Sequence, residues 1–108
     1  MTTATTTDLI NAMARHQGAA RGVSATVLAA RLGIGPRQLR KLVSAAREDG
    51  VAICGRPSTG YYMPSTPQEL EAACEFLRRR AMHSLRALSQ MKRVSLPVLC
   101  GQLLLSQG

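Results

Sequence analysis

The chain has 108 residues, enough for one small domain plus an appendage, and 45% of them are hydrophobic, which excludes disorder over most of its length. With no Trp, one Phe and two Tyr, any core has to be aliphatic. Fourteen Lys and Arg against six Asp and Glu leave a formal charge of +8 and a pI near 10.8, a balance that points to polyanionic partners. No apolar run approaches the roughly 18–20 residues a bilayer span requires. The opening MTTATTTDLI has neither the basic nor the apolar region of a secretory signal. A cytoplasmic, nucleoid-associated protein with no membrane partner is therefore expected.

Residues 1–7 read as a flexible, Thr-rich N-terminus. Leu9, Ile10, Met13 and Ala14 recur at helical spacing, which predicts a first helix from Asp8 to about Gln17 with Thr7 as N-cap. A loop, GAARG, lies between Gly18 and Gly22. Ser24 caps a second helix from Ala25 to Leu32, whose stripe is Val27, Leu28, Ala29 and Leu32, with Gly33 as its C′ residue. Ile34 is a lone apolar residue in the turn GIGP, placed to tuck under both flanking helices. Pro36 suits the first turn of a third helix, which runs to about Asp49 with Leu39, Leu42, Val43 and Ala46 on its inner face.

Gly50 ends that helix. Val51–Cys54 and Tyr61–Met63 are short strand-like runs around the turn-rich Gly55–Gly60, so a hairpin is expected, with one of Tyr61 and Tyr62 facing the core. Thr66, Pro67 and Glu69 form a capping box with proline at N1. Behind it, Leu70, Cys74, Leu77, Ala81, Leu85, Leu88 and Met91 predict a helix to about Lys92, roughly 38 Å long. The expected fold class is mainly α with a small β-hairpin wing, a winged helix-turn-helix plus a long C-terminal helix. The divisions are 1–7, a DNA-binding domain at 8–64, an amphipathic basic helix at 66–93 and an apolar tail at 94–108.

Two helices joined by a Gly-containing turn of about four residues are the DNA-binding helix-turn-helix arrangement. The second helix, residues 36–49, then enters the major groove. Its outer face offers Arg37, Gln38, Arg40, Lys41 and Ser44, with Arg47 near its end. Arg pairs with guanine O6 and N7, and Gln with adenine. The N-terminal half reaches base edges best, which favours Arg37, Gln38 and Lys41 as readers and puts Arg40 on bases or phosphates. Arg56 lies in the wing, residues 55–60, where an arginine meets the phosphate backbone or the minor groove.

The stretch VLAARLGIGPRQLRKLVSAAREDGVAICGRPSTGYYM resembles the winged helix-turn-helix of the biotin operon repressor type. The similar features are Leu28-Ala29, Leu32-Gly33-Ile34, Arg37, Leu39, Lys41, Ala46-Arg47-Glu48, Gly50 and Gly60-Tyr61. The resemblance covers about residues 8–63 and implies a recognition helix after the turn and a wing made by the hairpin. Gly35-Pro36 stands where that type carries a small polar cap and first helical residue. No ligase domain accompanies the module, so no biotin chemistry is implied. Small phage or mobile-element regulators are a looser likeness, implying regulation of transcription, as repressor or activator, or of phage or plasmid replication.

The helix at 66–93 has two readings. Its stripe is close to a heptad seam, which suits a homodimer, or it packs on its own domain. All six acids lie at or before Glu75, whereas Arg78, Arg79, Arg80, Arg86, Lys92 and Arg93 carry six positive charges with no acid among them. That run can add phosphate contacts or be a solvated face. No phosphate loop, nucleophile motif or paired carboxylates suggests an enzyme, and His16 and His83 lack an acid or nucleophile nearby in sequence. Cys54, Cys74 and Cys100 have no metal spacing and are expected to be reduced, with no metal and no cofactor. The alternatives are a winged helix used for protein contacts or as an architectural protein, a single-strand or RNA binder, and a membrane-surface tail.

Overall fold

The computed structural model describes residues 4–93 together with 95, 97–99 and 101. The expected apolar tail, Cys100 included, lies largely outside them. In chain order the elements are α1 (Thr6–Met13), a 3-10 turn (Ala19–Arg21), α2 (Ala25–Leu32), α3 (Pro36–Glu48), β1 (Cys54–Arg56), β2 (Gly60–Tyr62) and α4 (Pro67–Lys92). The protein is thus mainly helical, with a two-stranded antiparallel hairpin and one long helix. It divides within α4 into two compact units, one ending at Ala73 and one starting at Cys74.

Helix α1 starts earlier and ends earlier than its apolar spacing suggests. Thr5, not Thr7, is the N-cap: its hydroxyl accepts from Asp8 N at 3.2 Å, and Asp8 Oδ2 accepts from Thr5 N at 2.9 Å. The Thr-x-x-Asp spacing satisfies two backbone donors at once, which a cap at Thr7 would not. The helix stops at Met13 because the hairpin claims the backbone beyond it. His16 O accepts from Met63 N at 2.7 Å, and Gly18 N donates to Met63 O at 2.7 Å.

His16 turns inward and is buried. Its Nδ1 lies 2.8 Å from Arg21 O and its Nε2 lies 2.9 Å from Arg31 Nη1. A carbonyl and a guanidinium on opposite ring nitrogens place the proton on Nδ1 and leave Nε2 as acceptor. One ring therefore joins the exit of α1, the 3-10 turn and α2.

Helix α2 begins where Ser24 Oγ accepts from Val27 N at 3.2 Å. It ends at Gly33 in the left-handed region, at φ 68°, and Ile34 N returns to Ala29 O at 3.0 Å. That closure aims the chain directly into α3, whose first residue is Pro36. The core joins Leu9 and Met13 of α1, Leu28 and Ala29 of α2, and Leu39, Val43 and Ala46 of α3, with Val23 and Ile53. Ile34 and Leu42 are half-buried against it. All three helices thus surrender one apolar stripe to a single cluster, and the opposite stripe of α3 stays in water.

The hairpin pairs Cys54 with Tyr62, Gly55 with Tyr61 and Arg56 with Gly60. Its first strand begins three residues later than the run Val51–Cys54 predicts. Residues 51–53 are occupied in leaving α3: Val51 N donates to Ala46 O at 3.0 Å and Ile53 N to Val51 O at 2.9 Å. The tip is correspondingly tight, closed by Thr59 N to Arg56 O at 3.2 Å.

On its other side β2 bonds twice with Val23, at 2.7 and 2.8 Å. This contact requires glycine. A Cβ on Gly60, at φ +73°, would overlap the Val23 carbonyl, and one on Gly22 would overlap the Thr59 carbonyl. Tyr62 is buried with Cys54 and Ala73, while Tyr61 is half-buried against the main core. Both tyrosines are therefore covered, on opposite faces of the strand. Burial, followed by the influence of Cys54 and Glu69, pushes the Tyr62 phenol above its ordinary range.

The expected N-cap of α4 engages. Thr66 Oγ1 accepts from Glu69 N at 3.1 Å. The Glu69 carboxylate accepts from Ser65 Oγ at 2.6 Å, Ser65 N at 2.9 Å and Ala19 N at 2.7 Å. The same carboxylate satisfies the N–H at the head of the 3-10 turn. The Ser65 hydroxyl first, then the Ala19 and Ser65 amides, hold Glu69 below the usual carboxylate range. Farther along the 26-residue helix, about 39 Å in length, Glu75 holds Arg78 at 2.7 Å and Arg79 at 3.6 Å. Leu77 and Met91 are exposed.

Candidate nucleic-acid interface

A helix that buries Leu39, Val43 and Ala46 presents the residues between them on its far side, at steps of three and four. On α3 these are Arg37, Arg40, Lys41, Ser44, Ala45 and Glu48, and they line one open groove. Arg37, Arg40, Lys41 and Ser44 are all exposed. The groove is therefore rich in donors, with a hydroxyl and a methyl group in its middle and a carboxylate at its end.

Seven residues are candidates from the sequence, and the structure brings four of them together in this groove: Arg37, Arg40, Lys41 and Ser44. Gln38 is exposed but lies outside the groove lining. Arg47 is half-buried, and its Nε donates to Ile53 O at 2.8 Å. It braces the path from α3 into the hairpin. Arg56 is a strand residue rather than a tip residue, and its Nη2 donates to Ala72 O at 3.2 Å. The tip itself is Pro57, Ser58 and Thr59, which carry no charge.

Ala45 and Glu48 escape the sequence reading although the signal was present. They sit eight and eleven positions after Arg37, on the same 3.6-residue period. The Arg run on α4 is largely engaged within its own helix. Arg78 and Arg79 meet Glu75, and the Arg80 guanidinium lies 5.9 Å from the Phe76 ring centroid.

Among the described residues no three His, Cys, Asp or Glu side chains group as metal ligands. Nor is any helix there long and apolar enough to cross a membrane. Cys54 is buried and Cys74 exposed. Compared with protein-family models, curated proteins and solved structures, the chain matches none.

Proposed function

We propose that this protein binds duplex DNA sequence-specifically and regulates transcription, or phage or plasmid replication, by occupying its site. The observation that carries the reading is the groove on α3, where three exposed cations share one face of the helix that follows the turn. A helix fits the major groove, and the fixed opposite face keeps that stripe outward. The likeness to the winged helix-turn-helix of the biotin operon repressor type supports the same assignment.

Two copies joined through the helix at 66–93 complete the proposal. Paired recognition helices would meet half-sites about one helical turn apart and multiply a modest single-site affinity. The cytoplasm, at the nucleoid, is the matching location. At the wing, Arg47 and Arg56 each bond a backbone carbonyl, Arg56 stays exposed, and the tip is uncharged. That same observation favours the second reading, a winged helix used for protein contacts or as an architectural protein without sequence preference.

Fluorescence anisotropy against duplex and single-stranded pools, followed by sequencing of the bound duplexes, separates these readings. Duplex binding with an enriched motif supports regulation, and a palindromic motif supports the pair. Equal competition by single strands, or no binding of either pool, refutes the proposal.

A further inference from the structure

The α3 groove changes chemical character along its length. Arg37, Arg40 and Lys41 form one end, Ser44 and Ala45 the middle, and Glu48 the far end. Positions 37 and 48 are eleven apart, about 16 Å along a helix axis. This is close to five base pairs at ~3.4 Å each.

A line of phosphates is negative throughout. A face made only to hold phosphates gains nothing from an exposed carboxylate, which repels them at close range. Base edges in the major groove are different: they alternate acceptors, amino donors and the thymine methyl. Cation, hydroxyl, methyl and carboxylate in one groove match that mixed surface better than they match a sugar-phosphate chain. Glu48 is exposed, and among the described residues no ion pair ties it to a neighbouring cation.

We propose that Glu48 is a specificity-determining residue whose carboxylate accepts a hydrogen bond from the N4 amino group of cytosine at one edge of the site. The proposal rests on the DNA-binding reading above. Cytosine N4 is a donor, whereas guanine offers O6 and N7 as acceptors at the same depth. A carboxylate there selects cytosine and rejects guanine by setting acceptor against acceptor. The arginine end of the groove has the opposite preference, so the two ends of α3 favour guanine at one edge of the site and cytosine at the other.

The test uses the full chain as wild type, Glu48→Gln and Glu48→Ala, each selecting from a random duplex pool at about 150 mM salt. Circular dichroism confirms that the variants, altered at an exposed position, remain folded. The wild-type motif is expected to carry cytosine in one edge column. Glu48→Gln should convert that column to adenine, whose N6 and N7 suit an amide. Glu48→Ala should flatten it, losing about fivefold or more of discrimination, with the other columns unchanged. A wild-type motif that survives intact in both variants overturns the proposal and leaves the DNA-binding reading standing. So does a uniform gain in affinity across all sequences, since that is repulsion without readout. A wild type that enriches no motif overturns both.

Discussion

The number of cations in the α3 groove sets a quantity that can be measured without knowing the operator. Arg37, Arg40 and Lys41 are exposed and line the groove. If each neutralises one phosphate, one protomer has a slope of log affinity against log salt of about −2.7, from −0.9 per contact. The double substitution Arg40→Ala with Lys41→Ala leaves one contact and a slope of about −0.9. Between about 50 and 200 mM salt, wild-type affinity should then fall roughly 40-fold and the variant's only about 3.5-fold. A bound pair doubles both slopes and keeps their ratio. The assay is anisotropy with a fixed duplex across a salt series. Both side chains point away from the core, so thermal melting should be unchanged. A variant that keeps the wild-type slope would show that the groove is not the contact surface, and a wild-type slope near zero would end the DNA-binding mechanism itself.

Other positions separate support from contact. Arg47→Ala should lower stability by about 1.5–3 kcal/mol, through the lost charged hydrogen bond to Ile53 O. Its salt slope should stay at the wild-type value, and a reduced slope would return Arg47 to the DNA. Gly60→Ala forces a non-glycine residue to positive φ and drives Cβ into the Val23 carbonyl. The expected loss is about 2–5 kcal/mol by urea denaturation, combining left-handed strain with two weakened strand bonds, and a loss below about 1 kcal/mol would contradict the close approach.

Glu69→Gln tests the hold of this carboxylate on its donors through its pH dependence. Folding lowers the Glu69 pKa, so its contribution is complete above the ordinary carboxylate range and is lost as pH falls through the lowered value. Wild type should be more stable than Glu69→Gln at neutral pH, and the difference should shrink in acid. A difference that stays constant with pH would mean that the carboxylate's charge is not what holds the 3-10 turn.

Much of the fold is legible locally because the signals are short-range. Ser24, Gly33 and Pro36 mark the ends of α2 and the start of α3 through φ preferences and single hydrogen bonds, which depend on a few neighbouring residues. The outward stripe of α3 follows from Leu39, Val43 and Ala46 by helical period alone. The same period places Ala45 and Glu48 on that stripe.

Other features depend on partners distant in sequence. The stop of α1 at Met13, the covering of both tyrosines and the bond from Ala19 N to Glu69 all arise where the hairpin and its flanks meet residues 16–23. Arg47 and Arg56 show the difference most plainly. Composition and position make each a suitable phosphate ligand, yet the carbonyls of Ile53 and Ala72 engage them. By itself, then, the sequence determined the helix-turn-helix, the presence of a hairpin and the cationic stripe. Which backbone carbonyls hold Arg47 and Arg56 was decided only by the tertiary structure, because a backbone acceptor within reach exists only once the chain has folded around it.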